Sequence, residues 1–571
     1  MLLILLEGCA GLVPKADKAV TDDEKAHAVK VKLGDAARSD LPKEVLTGPL
    51  LFDILLGEIA GQRGRIDVSG PSYLQAARLS SDPRVAERAF KIALYGKDQK
   101  MAQAAGQRWL ELVPDNQEAR RALIALALRS GNIIEAEKHL DYLVSTTHES
   151  DEETYSKLTA VLLREPDKAR TLQVVKKLLS TRPDDANVRL MYAKLAVSAE
   201  DWALAEQEVS HILSLRPDWV QALILHAQIQ SKNGQAKLAV RDLKKALARN
   251  SNDYELRLAY ARLLVDARDL KEAIKQFEKL HNKRPREGQV VYSLALLYLG
   301  EKDLSTAEKY FQKLVDLKYQ QNTAYYYLGA IAEDRNQPTR ATENYRKIEH
   351  GEHLLDAQVR LAKIEAESGR LDEARGRLQN LRLTQPAHTQ RLVMVEAELL
   401  DDAGQTRAAY DLYSQYLESL PNDLDIRYSR SLIAEQLDYL DVAEEDFKAI
   451  LAVEPDNVRA LNAYGYTLAD RTTRFQEAYQ LIKRALDQSP DDPSIMDSMG
   501  WVQYRLGNLQ EARTYLGKAY ELTHDAEIAA HLGEVLWFMG DKDGARKLWH
   551  AGTQVAPDNL VLQETLKRLD P

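Results

Sequence analysis

The sequence predicts an all-α fold, a superhelical solenoid of repeated helix pairs, and three regular features indicate it. Alanine recurs at a constant interval of about 34 residues in the unbroken series Ala205, Ala239, Ala273, Ala307 and Ala341, and at nearly the same interval as far as Ala545. Twelve residues before most of these alanines lies a second small residue, such as Ala193 or Gly500. Antiparallel helices approach closely only where neither has a bulky side chain. Proline recurs at the repeat boundary, as at Pro183 and Pro455, where it ends one helix and can begin the next.

A period of about 34 residues is the length of the tetratricopeptide repeat (TPR), and the paired small residues resemble the TPR pattern. In this register about thirteen units lie within residues 115–557. Two divergent helix pairs are predicted over residues 49–114, which open with the helically spaced apolar run LLFDILLGEIAGQRG. Residues 558–571 contain LVLQETLKRL and predict a capping helix, because the last repeat would otherwise expose its apolar face.

Residues 1–48 differ from the repeats. Residues 1–9 place Cys9, the single cysteine, after a short apolar stretch in LLEGC, which resembles a bacterial lipobox in which the cysteine is lipidated. The alternative is an incidental, unmodified cysteine. Ala10 resembles the sorting rule for outer-membrane lipoproteins. Residues 10–48 are rich in Lys, Asp, Glu and Ala and predict a charged tether.

Composition limits the class of partner. With 45% hydrophobic and 29% charged residues, the 571-residue chain can bury a substantial interior. A net charge of -10 argues against binding nucleic acid, which requires a basic face. No apolar run approaches the ~20 residues of a membrane-spanning helix, so we expect membrane contact through a lipid anchor only.

The sequence offers little chemistry of its own. It lacks the GxGxxG, GxxxxGK[ST], HExxH and CxxC patterns of nucleotide and zinc sites. His350 and His353 form the nearest candidate metal pair, but they lie at a repeat junction without a clear third ligand, which favours a solvated turn. Carboxylates are spread along helices and suggest no acid–base pair. We therefore predict a non-catalytic protein without cofactor or metal.

The predicted binding surface is the inner groove, since the first helix of each TPR faces the concave side. With the small residue of each first helix at position eight, positions two, five, nine, twelve and thirteen face the groove. The chain has 26 Tyr and 6 Trp against 7 Phe, and Tyr and Trp suit interfaces. The alternative is that several of these aromatic residues fill repeat interfaces. The predicted groove residues are Tyr292, Tyr326, Tyr428, Asn462, Tyr466, Asp497, Trp501, Tyr504, Arg505 and Trp537.

Two runs near the C-terminus resemble a narrower group than TPR proteins in general. They are LNAYGYTLADRTTRFQEAYQLIKRAL and DSMGWVQYRLGNLQEA, and the N-terminal stretch from LLFDILLGEIAGQRG to DPRVAERAFKIALYGKD resembles the start of the same group. The group is that of proteobacterial outer-membrane TPR lipoproteins that bind the periplasmic carboxyl-terminal processing protease. The resemblance implies an adaptor on the periplasmic face of the outer membrane, which activates this serine protease and brings it peptidoglycan hydrolases to degrade.

A division of labour follows as a hypothesis. The groove would hold the hydrolase, while the divergent N-terminal helices would dock the protease, so that one scaffold raises the effective concentration of both. The predicted docking residues are Leu50, Leu51, Ile54, Leu55 and Ile59. The alternative function is that of a structural TPR lipoprotein in an envelope polysaccharide-export or outer-membrane assembly complex.

Overall fold

A computed structural model of the chain describes residues 44–147 and 152–570. Within these ranges the chain forms 31 α-helices and no β-strand. Cys9, the lipobox and all but the end of the predicted tether lie outside the described residues. The described residues divide into two compact units, one up to residue 313 and one from residue 314 onward, and the boundary falls within one helix.

The first unit is built from consecutive helices connected by short turns. They are α1 (Gly48–Gln62), α2 (Ile66–Leu79), α3 (Pro83–Tyr95), α4 (Gln99–Leu112), α5 (Gln117–Ser130), α6 (Ile133–Thr146), α7 (Glu152–Arg164), α8 (Lys168–Thr181), α9 (Ala186–Ser198), α10 (Trp202–Leu215), α11 (Val220–Lys232), α12 (Ala236–Arg249), α13 (Tyr254–Asp266), α14 (Leu270–Lys283), α15 (Gly288–Gly300) and α16 (Leu304–Asp316), which contains the boundary.

The second unit continues the same alternation. Its helices are α17 (Gln321–Asp334), α18 (Pro338–Tyr345), α19 (Leu354–Glu367), α20 (Leu371–Thr384), α21 (Thr389–Asp402), α22 (Thr406–Ser419), α23 (Leu424–Gln436), α24 (Leu440–Val453), α25 (Val458–Arg471), α26 (Phe475–Gln488), α27 (Pro493–Arg505), α28 (Leu509–Thr523), α29 (Ala526–Phe538), α30 (Lys542–Val555) and α31 (Leu560–Leu569). Odd-numbered helices are the first helices of the pairs and even-numbered helices the second.

The predicted fold class is confirmed. Thirteen pairs run from α5 to α30, two pairs precede them and α31 follows. The alanines of the repeating series are fully buried, as Ala239 and Ala478 show. The matching small residues face their partner helices closely: a Cβ added to Gly500 would lie 2.5 Å from Cγ of Leu516. The small residues therefore set the spacing within each pair, as the sequence indicates.

Side-chain caps fix where the first helices begin. The Oδ1 atom of Asp253 accepts a hydrogen bond from the backbone N–H of Leu256 at 2.8 Å. Asn457 caps α25 in the same way, through the N–H of Ala460 at 3.0 Å. These bonds satisfy backbone donors that have no partner within the helix, so Asp or Asn at the repeat boundary keeps the register.

One repeat departs from the pattern. Helix α18 is only about two turns long, whereas every other second helix is roughly four turns long. After it the chain runs through residues 346–353, where Gly351 adopts a φ of +94° that favours glycine. The predicted junction histidines, His350 and His353, lie in this segment.

Candidate protein-binding surfaces

The largest group of predicted groove residues comes together on the first helices α23, α25, α27 and α29 of the second unit; we call this surface the acidic face. Tyr466 of α25 donates a hydrogen bond to Oε1 of Glu527 on α29 at 3.3 Å. This bond passes over the intervening first helix, α27. Side chains of alternate first helices can meet only where these helices line the inner side of a curve, so the acidic face is concave.

A buried layer supports the acidic face. Nδ1 of His531 lies 2.9 Å from Oδ1 of Asp497, and the Trp501 ring stacks on the imidazole with 4.3 Å between ring centroids. Trp501 Nε1 donates to Oδ1 of Asp470 at 3.2 Å. His531 is only 2 % exposed, and Asp497 and Trp501 are also buried. These two predicted groove residues therefore hold the surface in shape from beneath, and the partly buried Tyr466 lies above them.

Carboxyl groups dominate the electrostatics of this face. Burial raises the pKa of Glu435 and of Glu527, and nearby carboxylates add to the rise. Burial alone would lower the pKa of His531, but the Asp497 carboxylate outweighs it, and the pKa is raised. Burial, together with Glu527 and Asp470, also raises the pKa of the Tyr466 hydroxyl. The face is thus rich in carboxyl groups, with one imidazole paired to a carboxylate beneath it.

Tyr504 and Arg505 extend the acidic face toward α29 and α25. The Tyr504 hydroxyl donates to Oε1 of Glu534 at 2.9 Å, and Arg568 of α31 donates to the same carboxylate at 2.9 Å. Arg505 donates to the backbone carbonyl of Asp470 at 3.1 Å. These contacts tie successive first helices together through side chains that remain partly accessible.

Tyr428 and Asn462 lie on the same row of first helices. Tyr428 lines a cavity of about 260 Å³ at the start of α23 and α25. The Arg459 guanidinium lies 4.8 Å from the centroid of the Tyr428 ring and pairs with Asp425 at 2.9 Å. Oδ1 of Asn462 is buried without a hydrogen-bond partner among the described residues.

Three other predicted groove residues make none of the contacts of the acidic face described above, although Trp537 also lies on α29. Trp537 packs against Trp549 on α30, with 5.5 Å between ring centroids. Tyr326 stacks on His353 at 4.4 Å. Tyr292 is partly buried on α15 of the first unit.

The junction histidines have structural partners. Burial lowers the pKa of His353, the histidine that stacks on Tyr326. The backbone carbonyl of His350 accepts a hydrogen bond from Nδ2 of Asn322 at 2.7 Å. In residues 44–147 and 152–570, no three His, Cys, Asp or Glu side chains are grouped so that they could hold a metal ion.

A comparable surface, which the sequence did not reveal, lies on α7, α9 and α11 of the first unit; we call it the lysine face. Gln221 of α11 donates to Oε2 of Glu152 on α7 at 3.0 Å, and this bond passes over α9. Nζ of Lys194, on α9, lies 3.5 Å from Oε1 of Gln221. Burial lowers the pKa of Lys194.

The predicted docking residues of α1 divide between two sides of the helix. Leu50 is 3 % exposed and packs in the interior with Gly57 and Ala60. Leu51, Leu55 and Ile59 are exposed, as is Phe52 at 64 %, and Ile54 is partly buried. Helical spacing places the four exposed side chains on one stripe, which we call the α1 stripe. Sequence reasoning missed Phe52, although it lies within the quoted run.

Sequence reasoning also missed most acidic members of the acidic face. Glu435, Asp470, Glu527 and Glu534 occupy first-helix positions twelve, thirteen, two and nine, which the predicted register already assigned to the groove. The register alone could therefore have predicted that these four acidic residues face the groove, but only the aromatic positions and a few polar ones were selected. His531 occupies position six, outside the predicted set, and no sequence signal places it beside Asp497.

Two models of the tetratricopeptide repeat match the chain, over residues 213–348 and 438–493. The TPR repeat-containing protein PA4667 of Pseudomonas aeruginosa is 38% identical to it, and the match covers 99% of this chain and 95% of the relative. The chain belongs to this TPR protein family. The repeats make it a protein-binding scaffold, and the TPR fold is generally non-catalytic.

Similarity of this TPR protein to other repeat proteins is weaker. The type IV pilus assembly protein PilF of Pseudomonas aeruginosa is 24% identical over 24% of this chain and 54% of its own length. A solved TPR protein from Parabacteroides merdae gives a TM-score of 0.36 at 20% identity and covers 43% of this chain and 98% of that chain. None of the helices in the described ranges has the length and apolarity that crossing a bilayer requires.

Proposed function

We propose that this TPR protein is an adaptor that binds and activates a periplasmic carboxyl-terminal processing protease and delivers peptidoglycan hydrolases to it for degradation. The observation that carries the proposal is that one chain has two chemically different candidate surfaces, the apolar α1 stripe and the aromatic, acidic face of the second unit. Two different surfaces suit two different partners. The resemblance of the quoted sequence runs to protease-binding lipoproteins supplies the identity of the partners.

The α1 stripe is the proposed protease-docking site. Leu51, Phe52, Leu55 and Ile59 are exposed on one side of α1, while Leu50 fixes the helix from the other side. A helix that exposes apolar residues three and four apart can fill a hydrophobic groove on a partner. Because α1 is the first helix of its unit in the described chain, no preceding repeat there covers its outer side.

The proposed adaptor positions the protease and its substrate next to each other and takes no part in the chemical reaction. Holding protease and hydrolase on one chain turns their encounter into an intramolecular event, which raises the effective concentration of the substrate. We propose that the chain supplies no catalytic residue, cofactor or metal ligand. We further propose that a lipid on Cys9 holds it at the periplasmic face of the outer membrane.

The experiment exchanges Leu51, Leu55 and Ile59 together for Ser and isolates the full chain with its partners from envelope extracts for mass spectrometry. We expect the protease to be lost at least ~10-fold and the hydrolases to be retained, since each buried apolar side chain contributes about 1.5 kcal/mol or more. The matched control exchanges the exposed apolar residues Leu383, Val453 and Val555, which lie elsewhere. Loss of the protease from the control as well would contradict the assignment.

The same isolation tests the alternative function. Recovery of polysaccharide-export or outer-membrane assembly proteins in place of the protease would favour a structural role in an envelope complex. The observation that favours this alternative is the weak similarity to a type IV pilus assembly protein.

The anchor has its own test. Exchanging Cys9 for Ser should move the protein from the membrane pellet to the soluble periplasmic fraction. An unchanged distribution would contradict lipid anchoring at this residue.

A further inference from the structure

Charge is distributed unequally along the chain. Residues 44–313 carry a net charge of +4, whereas residues 314–571 carry -14, and -13 of that lies after residue 400. The first helices α23 to α29 fall in this strongly acidic part. A surface with such an excess of carboxylates attracts cationic segments and repels anionic ones.

Three carboxyl groups of the acidic face form no ion pair with Lys or Arg among the described residues, although Arg471 opposes the rise in the pKa of Glu435 and His531 opposes that of Glu527. Oε1 of Glu527 accepts from the Tyr466 hydroxyl at 3.3 Å, and Oδ1 of Asp470 accepts from the Trp501 indole at 3.2 Å. Glu435 lies near the Thr467 hydroxyl, which donates its hydrogen bond to the backbone carbonyl of Ala463 at 2.9 Å. These three neighbours are neutral, and among the described residues no Lys or Arg forms an ion pair with these carboxylates. Beneath them, the His531 imidazole is paired with Asp497.

The basic side chains nearby are engaged elsewhere. Nη2 of Arg471 pairs with Asp438 at 2.7 Å. Arg505 is directed to the backbone carbonyl of Asp470, and its guanidinium lies 4.7 Å from the centroid of the Phe475 ring. Arg471 still opposes the rise in the pKa of Glu435, so the rim offsets part of the negative charge of the face and leaves the rest without an ion pair.

Burial makes the charged forms of the carboxyl groups less stable, and a bound cation would reverse this effect. The raised pKa of Glu435 and of Glu527 shows that their charged forms are poorly solvated where they lie. A guanidinium or ammonium group placed between them would stabilise the charged forms. Tyr466 adds an aromatic ring that can contact such a cation and the alkyl chain behind it.

We propose that the acidic face binds a cationic segment of the protein to be degraded and seats Lys or Arg side chains among Glu435, Asp470 and Glu527. The proposal rests on the adaptor function and specifies the chemistry of the substrate segment. A surface that recognises positive charge and offers an aromatic ring does not require one exact sequence in the segment that it binds. Such a face could therefore take more than one substrate protein that has an accessible basic stretch.

The test compares two triple variants of the full chain with equal changes in net charge. The site variant is E435Q with D470N and E527Q. The matched control is D487N with E511Q and E521Q, which removes three exposed carboxylates from the second helices α26 and α28. Circular dichroism and thermal melting verify that both variants are folded.

The probe is a fluorescein-labelled peptide of alternating Arg, Lys, Gly and Ser, and a Glu-containing peptide of the same length serves as its counterpart. We expect the site variant to bind the basic peptide about tenfold more weakly by fluorescence anisotropy and the control less than about twofold, because charge pairs in a partly buried site contribute more than exposed ones. The affinity of the wild-type chain should also fall more steeply with salt than that of the site variant.

Equal losses in the two variants would overturn the proposal, because they would show that net charge alone determines binding. Equal affinity of the wild-type chain for the basic and acidic peptides would overturn it too. If sedimentation shows a wild-type dimer that the site variant dissolves, the occupant is a second copy of this chain and the proposal is wrong. Binding of purified protease to the same variants distinguishes the adaptor hypothesis from the hypothesis of a cationic segment on the acidic face. A variant that loses only the peptide does not contradict the adaptor function.

Discussion

The lysine face of the first unit and the acidic face of the second are both built from three or more successive first helices but differ in their chemistry. On each, a hydrogen bond joins alternate first helices over the one between them: Gln221 to Glu152 in the first unit, and Tyr466 to Glu527 in the second. The central charged group is Lys194 in one and a set of carboxyls in the other. The repeat therefore determines where a side chain lies, and the residue at that position determines what the surface can bind.

Burial affects the two faces in opposite directions. It lowers the pKa of Lys194 and raises the pKa of Glu435 and of Glu527, because in every case it disfavours the charged form. The faces also differ in support. The acidic face rests on the buried His531, Asp497 and Trp501 layer, and this layer is the first place to test the comparison.

The largest expected effect comes from removing the partner of the buried histidine. Asp497→Ala should lower the free energy of unfolding of the second unit by about 3 kcal/mol, because the buried His531 loses its hydrogen-bond partner and must either release its proton or keep a buried charge without a counterion. Hydrogen exchange followed by mass spectrometry should show faster exchange in α27 and α29 and unchanged exchange in α9. An unchanged second unit would show that the layer does not support the face.

Helix spacing gives the next effect. Gly500→Ala places a methyl group against Leu516 and should cost about 1–3 kcal/mol in the unfolding free energy. Gly517→Ala, on α28 with no atom within 4 Å of the new methyl group, is the control and should stabilise the chain by up to ~1 kcal/mol. Chemical denaturation measures both. Equal effects would contradict the role of small residues in setting the spacing within each pair.

The contributions of the two faces to the pH dependence of stability should have opposite signs. In the folded second unit, Glu435 and Glu527 bind protons more readily than in the unfolded chain. His531, which faces Asp497, Glu527 and Asp470, does the same. Stability should therefore fall as pH rises from the unfolded pKa values of 4.5 and 6.5 through the raised folded values.

In the first unit the sign reverses. The folded pKa of Lys194 is lowered, so stability should rise as pH increases from that value toward the unfolded pKa of 10.5. Hydrogen exchange of α9 and α29 at several pH values, corrected for intrinsic rates, measures both trends. The same sign in both units would contradict the contrast between the faces.

The smallest effect is expected from neutralising single charges. Lys194→Gln and Glu435→Gln each remove a poorly solvated charge and keep a hydrogen-bonding group, so each should change the unfolding free energy by less than ~1 kcal/mol. Denaturation measures the change. A clearly larger loss in either variant, of the size expected when a buried ion pair is broken, would show that the charge holds its face together.

The sequence predicted the repeats well because their spacing is local. The alanine series gave the number of helix pairs, and Asp and Asn at the repeat boundary indicated where first helices begin. The shortened α18 did not follow from the sequence pattern, because Ala341 keeps the regular repeat interval although the helix ends at Tyr345.

The candidate site was predictable only in part. Tyr466, Trp501, Tyr504 and Arg505 were predicted to face the groove from their first-helix positions, and the structure places them on neighbouring first helices. Their contacts depend on the curvature that places α29 beside α25, which a single repeat does not encode. His531 was missed for this reason. In α1, periodicity identified an apolar helix but did not separate the buried Leu50 from the exposed Phe52.

The central claim is that the α1 stripe and the acidic face bind different partners. It is tested most directly by binding one immobilised set of proteins to two ligands: the purified carboxyl-terminal processing protease and the basic peptide. The set comprises the wild-type chain, the variant with Ser at Leu51, Leu55 and Ile59, and the E435Q, D470N and E527Q variant. We predict that the first variant loses the protease and keeps the peptide, and that the second loses the peptide and keeps the protease. Loss of both ligands by either folded variant would contradict the account.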